Sequence, residues 1–300
     1  MIYPKISIVT PSFNQGQYLE QTILSVLNQN YPNLEYIIID GGSTDNSVEI
    51  IKKYANRLTY WVSEPDKGQS NAINKGLAEC TGEVFNWLNS DDCLMPNALF
   101  LIGNFFQANT YDILGGVTQV FKDYEAVILY NLSIRVSEIF EDNLVNTPIS
   151  QPSTFYRRDI LNKIGNLNEG LHYAMDYELW LRYVLEFGVS EIHIIKEPLA
   201  RFRLHSDSKS TTKQALFRRD LNEIEHSIHQ AIQSPKCLRD FLLPSKHPEL
   251  YYKGDWNIKK ISKKKYLQLW CKRNLKYPIK KLSRYEKIML KYYYIKSLYF

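Results

Sequence analysis

Residues 5–42 read KISIVTPSFNQGQYLEQTILSVLNQNYPNLEYIIIDGG, and this stretch decides the architecture. Residues 5–10 (KISIVT) are a short apolar run rich in β-branched side chains, stopped by Pro11, which reads as a buried strand. Leu19, Ile23, Val26 and Leu27 then recur at helical spacing within residues 18–28. Residues 35–40 (EYIIID) form a second buried strand that ends in Gly41-Gly42. The unit is strand, helix, strand.

The same alternation continues outward. A helical stretch follows Asp45 to about Tyr54, residues 58–63 (LTYWVS) read as a third strand, and residues 69–79 as a helix with Ala72, Ile73, Leu77 and Ala78 inside. Residues 83–88 (EVFNWL) give a fourth strand, and Pro96 is expected to open the next helix, since proline suits a first turn. Such alternation predicts an α/β fold: a mostly parallel, Rossmann-like sheet with helices on both faces. Ligands bind such sheets beyond the carboxyl ends of the strands. Four polar clusters fall there: Thr10-Pro11-Ser12, Asp40-Gly41-Gly42-Ser43, Glu64-Pro65-Asp66-Lys67-Gly68 and Asn89-Ser90-Asp91-Asp92.

Beyond residue 110 the pattern is less regular. Strands are expected within residues 111–130, a polar QPST segment leads residues 150–156, and residues 159–164 read as a short helix. Residues 176–186 (DYELWLRYVLE) form an amphipathic helix, and residues 192–195 and 199–203 two short strands. From about Leu216 the chain reads as helical. We therefore expect a main domain over 1–215, divided into 1–110 and 111–215, and a helical, basic, aromatic extension over 216–300.

Composition narrows the class. The 300 residues are 44% hydrophobic and 23% charged, enough to build a core, so wholesale disorder is excluded. Four scattered cysteines with no CxxC pair argue against a disulfide framework or a structural zinc site, and a reducing, cytoplasmic setting is expected. The apolar run at the start is too short for a signal peptide or a membrane span. The formal charge of +5 hides a division. Residues 251–300 hold 15 Lys or Arg, two acids and 12 aromatic residues, a charge of +13 that leaves the first 250 residues at −8. A basic aromatic tail suits nucleic acid, an anionic membrane surface, or a helical appendage with a solvated face.

Chemistry at the rim starts with Asp91 and Asp92. Adjacent acids repel, and a hard divalent cation, Mg2+ or Mn2+, would offset that cost, although a helix N-terminus would also favour them. No GxxxxGK[ST] and no GxGxxG is present, so neither a P-loop nor a dinucleotide fingerprint is favoured. Asp176 fits a helix N-cap or a general base. His205, in FRLHSDSKS, fits a core or surface histidine or a metal ligand.

Five stretches taken in order carry a family resemblance: ISIVTPSFNQGQYLEQTILSVLNQ, YIIIDGGSTDNS, SEPDKGQSNAINKGLAECTGE, WLNSDD, and AMDYELWLRY followed by FRLHSDSKS. Together they resemble the family 2 glycosyltransferases of GT-A fold, over about residues 5–210. The resemblance implies an inverting, metal-dependent transferase that uses a nucleoside-diphosphate sugar, UDP favoured, and works in bacterial surface polysaccharide synthesis. It implies a donor site of Thr10, Pro11, Asp40, Glu64, Asp66, Lys67, Asn74, Asn89, Ser90 and Asp92. It implies Asp91 and His205 as ligands of Mn2+ or Mg2+, and Asp176 as the base. Asn89 stands where the family's DXD motif has its first acid, and Met175 where a Glu is frequent. Gln151, Ser153 and Tyr173 fall in the half that shapes the acceptor pocket, for a saccharide or lipid-linked acceptor. A non-catalytic nucleotide-sugar-binding subunit is the alternative. Nucleic acid is not expected as a partner; residues 251–300 are expected to meet the inner membrane face.

Overall fold

The computed structural model describes residues 3–122, 128–145, 149–206, 208–242, 256–276, 282 and 284–299. Residues 125–127 of an expected strand, Asp207 of the histidine motif, and residues 251–255, 277–281, 283 and 300 of the basic tail lie outside them.

The strands are β1 (Ile6–Ser12), β2 (Leu34–Asp40), β3 (Tyr60–Ser63), β4 (Val84–Trp87), β5 (Cys93–Leu94), β6 (Ile113–Lys122), β7 (Ile128–Ser133), β8 (Thr154–Arg157) and β9 (Ile192–Leu204). The helices are α1 (Gly16–Leu27), α2 (Ser47–Tyr54), α3 (Gln69–Glu79), α4 (Ala98–Ala108), α5 (Asp142–Val145), α6 (Arg158–Ile164), α7 (Met175–Phe187), α8 (Lys209–Thr212), α9 (Gln214–Ala231), α10 (Lys236–Leu242), α11 (Lys263–Lys276) and α12 (Arg284–Tyr299). Two compact units result. The first comprises Met1–Ile134, Pro148–Asp176 and Glu191–Thr212; the second comprises Arg135–Thr147, Tyr177–Ser190 and Lys213–Phe300.

All the described strands of the first unit join one sheet, ordered β3-β2-β1-β4-β8-β6-β9-β5, with β7 paired to β6. β3, β2, β1 and β4 run parallel, as the strand–helix alternation predicts, with Ser12 opposite Asp40 and Asp40 opposite Ser63. That register puts four strand ends, and the loops that follow them, on one rim. β8 is antiparallel to both β4 and β6, while β9 runs parallel to β6.

Alternation along the strands sorts the core. Ile6 and Ile8, with Tyr36 and Ile38, pack against Leu19, Ile23 and Val26 of α1 and Leu99 and Ile102 of α4. Val9 and Ile39 face the other way, toward α3. There the close approach requires a glycine: a Cβ on Gly76 would lie 2.4 Å from Val9 Cγ1.

Two expectations are corrected. The strands expected over 192–195 and 199–203 are parts of one 13-residue strand, Ile192–Leu204, with irregular pairing where Pro198 sits opposite Val117; proline cannot donate to the ladder there. Pro96 does not open α4. Asn97, at φ +63°, precedes the first helical residue, Ala98.

The second unit is built on buried aromatic and polar contacts. Tyr177 Oη donates to Leu144 O at 2.8 Å. Glu225 accepts from Trp270 Nε1 at 2.7 Å and from Arg273 at 2.6 Å, and Arg273 also donates to Val145 O. Glu178, fully buried, pairs with Arg182 one turn on, at 2.9 Å. Among the described residues no helix is long and apolar enough to cross a membrane.

Candidate active site

The first two rim loops are tied together by their own polar groups. Asp40 is fully buried, and its carboxylate accepts from the Ser43 N–H at 2.8 Å, Ser43 Oγ at 2.5 Å and Ser63 Oγ at 2.7 Å. Asn14 Oδ1 accepts from Thr44 N–H, and Asp45 Oδ2 accepts from the Gly16 N–H at the start of α1. Burial tends to raise the Asp45 pKa, but the Ser47 and Gly16 donors outweigh it and lower it. Thr10 is also fully buried, its hydroxyl 3.1 Å from Tyr36 Oη, and Pro11 is buried beside it.

The third loop turns at Gly68, whose N–H donates to Asp66 Oδ1 at 2.7 Å. At φ +111° a side chain there would be strained, and its Cβ would lie 3.3 Å from His172 Nδ1. Glu64 pairs with Lys75 at 2.7 Å, and Lys67 is exposed. Asn74 is occupied by another loop: it donates to Leu167 O and Glu169 Oε1 and accepts from the Leu167 N–H.

The fourth loop divides its acids. Asp92 is fully buried and accepts from the Arg203 N–H at 3.0 Å and from Asn89 Nδ2 at 3.1 Å. Burial first, and the Asp91 charge second, raise its pKa. Its backbone carbonyl and that of Ser90 both accept from Thr22 Oγ1. Asp91 points the other way, partly exposed, with Oδ2 3.1 Å from His205 Nε2. The His205 ring lies 4.5 Å from that of Tyr18, and Arg203, 4.8 Å from the same ring, holds the Asp91 carbonyl through Nε at 2.9 Å.

A relay of amides runs along this rim. Lys209 Nζ donates to Gln69 Oε1 at 2.9 Å, Gln69 Nε2 donates to Asn89 Oδ1 at 2.7 Å, and Asn89 passes the chain to Asp92. The protein around Lys209 lowers its pKa, while the charges of Asp91 and Asp66 oppose that shift. The lysine therefore shares a field with both acids, 6.0 Å from the centre of the Tyr173 ring.

Asp176 lies in the first turn of α7, half-buried, because the helix starts one residue earlier at Met175. It is not the N-cap. Its charge, after burial, raises the pKa of Tyr156 on β8.

The structure thus brings Asp66, Asn89, Asp91, His205 and Tyr173 into one neighbourhood, joined by Gln69 and Lys209, which the sequence reading does not single out. Five other expected contacts have hydrogen-bond partners within the protein. Asp40 and Asp92 are enclosed by loop donors, and Asn74 anchors a loop. Gln151 is buried against Asn86 Oδ1 and Trp87 O, and fully buried Ser153 donates to Val117 O at 2.9 Å. The polar QPST segment is buried and packed against β4 and β6. Lys209 had one available signal: it stands four residues after His205, in the same motif.

Asp91 and His205 suit a divalent cation. Two donors bound side by side to one ion at about 2.1 Å lie about 3 Å apart, close to the 3.1 Å found. Magnesium-type sites take one or two protein ligands and fill the rest with phosphate oxygens and water. Among the described residues no group of three or more His, Cys, Asp or Glu is placed to hold a metal ion.

This sheet, with its helices and its strand-end rim, has the GT-A architecture. The model of glycosyl transferase family 2 matches residues 7–174, and the chain belongs to that family. An uncharacterised glycosyltransferase of Rickettsia typhi is 27% identical over 221 residues, which cover 70% of this chain and 67% of the relative. Two solved structures share the fold. S. aureus TarS 1–349, in complex with UDP-GlcNAc, superposes with a TM-score of 0.61 at 18% identity, covering 98% of this chain and 88% of that one. Mannosyltransferase PcManGT of Pyrobaculum calidifontis, in complex with GDP-Man and Mn2+, gives 0.54 at 17% identity, covering 100% and 82%.

Proposed function

We propose that the chain moves a sugar, with inversion, from a nucleoside-diphosphate donor to a hydroxyl of a saccharide or lipid-linked oligosaccharide in surface polysaccharide synthesis. The pairing of Asp91 with His205 on the strand-end rim, beside the Lys209 cation, carries this reading. A UDP-sugar is favoured, in keeping with the UDP-GlcNAc held by a structural relative. The setting is cytoplasmic, at the inner membrane face.

The acceptor oxygen attacks the anomeric carbon from the side opposite the diphosphate. A carbon–oxygen bond forms as the bond to the diphosphate breaks, and the diphosphate leaves with the electron pair. Asp176 accepts the hydroxyl proton. The Asp176 carboxylate is half-buried in the first turn of α7, so an acceptor hydroxyl can reach it. Lys209 and exposed Lys67 oppose the charge that develops on the leaving group, a stabilisation that grows as the bond breaks. Asp91 and His205 would hold Mn2+ or Mg2+, which as a Lewis acid would neutralise the same charge. Asn89, tied to Gln69, and Ser90 shape the floor under the donor, with Glu64 and Asp66 at the nucleotide end. Tyr173 lies on the acceptor side.

Asp176→Asn tests the assignment. Transfer should fall about 1,000-fold, while stabilisation of the fold by UDP with Mn2+ stays at the wild-type level. Wild-type turnover in that variant sinks the base. Absence of any thermal shift with UDP, GDP, dTDP or CMP, with and without Mn2+, sinks the donor site.

A further inference from the structure

We infer that the outward face of α12 docks the protein on an anionic lipid bilayer. This names a surface for the membrane partner proposed above, but it stands on separate residues of the second unit.

α12 buries Met289 and Leu290, the latter completely, and turns Ile288, Tyr292 and Ile295 outward with 58%, 55% and 52% exposure. The spacings of four and three put these side chains on one stripe. At about 100° per residue, Arg284, Lys287 and Lys291 line one border of the stripe and Lys296 the other. All four are exposed. Glu286 is the helix's single acid.

Three outward apolar side chains between two cationic borders match a helix lying in the plane of a membrane interface. The stripe enters the acyl boundary, the tyrosine ring sits at headgroup level, and the lysine stems reach up to lipid phosphates. The 16-residue helix does not qualify as a span.

Charge complementarity selects the occupant. A nucleic-acid backbone would satisfy the lysines and leave two isoleucines in water. A second copy of the face would bring four like charges against four. An anionic bilayer satisfies both features at once, and the +13 of residues 251–300 adds to the attraction.

The full chain is sedimented with vesicles of phosphatidylcholine alone or with about one third phosphatidylglycerol, near physiological salt. One variant carries Ile288→Ser, Tyr292→Ser and Ile295→Ser; another carries Lys287→Gln, Lys291→Gln and Lys296→Gln. The wild type should partition onto the anionic vesicles alone. The serine variant should lose at least about tenfold in partition, and the glutamine variant roughly fivefold per lysine removed. All substitutions are on the solvent side, and unchanged melting curves verify that each variant folds. Vesicle binding unaffected by either variant overturns the inference. So does vesicle binding absent from the wild type, whether the stripe then drives concentration-dependent dimers or the lysines bind an oligonucleotide. The thermal shift with UDP and Mn2+ is read on the same samples. Its absence counts against sugar transfer while leaving the docking face standing.

Discussion

His205 Nε2 lies 3.1 Å from Asp91 Oδ2, although 114 residues separate them. Neighbouring Asp92 has its carboxylate enclosed by Arg203 N–H and Asn89. Two acids adjacent in sequence therefore do opposite work. Asp91→Asn and His205→Ala should each abolish the Mn2+-dependent part of the thermal shift with UDP and lower transfer at least about 100-fold. Asp92→Asn should melt earlier yet keep a metal-dependent shift. Equal losses of that shift in Asp91→Asn and Asp92→Asn would contradict the division.

Lys209 gives a second expectation. Its amine donates to Gln69 and lies in the field of Asp91 and Asp66. Lys209→Met keeps the length of the stem and removes the charge. Affinity for UDP should fall roughly tenfold, as for loss of one charge-assisted contact, and transfer should fall further, because the charge opposed grows along the reaction. Equal losses in binding and in turnover would confine the lysine to ground-state binding.

Much of the sheet was legible because apolar runs such as YIIID can only be buried. Strand–helix alternation then places Ser12, Asp40, Ser63 and Trp87 at one rim without any tertiary information. The tasks of individual polar residues were less legible. Asp40 and Asp92 look like ligand contacts in the sequence, yet donors from Ser63, 23 residues away, and Arg203, 111 residues away, satisfy them. Residue type does not reveal whether a polar group's partner is a substrate or a distant backbone. For the same reason Gln69 passed unnoticed: an amide linking Lys209 to Asn89 has no pattern of its own in the chain.

Glu35 makes a pH-dependent contribution at the opposite end of the strands. It is 5% exposed, and burial alone would raise its pKa, but Ser7 Oγ, the Thr81 hydroxyl and the N–H groups of Thr81 and Gly82 together lower it below the ordinary 4.5. A carboxylate with a lowered folded-state pKa stabilises the fold fully above its unfolded value. That contribution fades as pH falls through the lower folded value. Glu35→Gln turns an amide donor toward these donors and should cost about 2 kcal/mol at neutral pH. The gap between variant and wild type should narrow under strong acid, as followed by urea unfolding against pH. A gap independent of pH would remove the charge from the account.

His229 supplies a second acid sensitivity, of the same sign but set at higher pH, in the second unit. It is fully buried, its Nδ1 lies 3.0 Å from Ser234 Oγ, and its ring lies 4.5 Å from that of Trp270. Burial, with the nearby His226 and Arg273 charges, lowers its pKa from 6.5 to about 3. Above pH 6.5 the imidazole is neutral whether the chain is folded or not, so its titration costs nothing there. Below that value the unfolded chain binds a proton that the folded chain refuses. Stability should then fall by up to about 1.4 kcal/mol per pH unit until the folded-state pKa is reached. His229→Gln removes the titration while retaining a polar group for Ser234. Its melting temperature should be lower than wild type at pH 8, from imperfect packing against Trp270, and should decline less steeply between pH 6.5 and 4. Parallel slopes for the two proteins over that interval would show that other groups, not His229, set the acid limit of the fold.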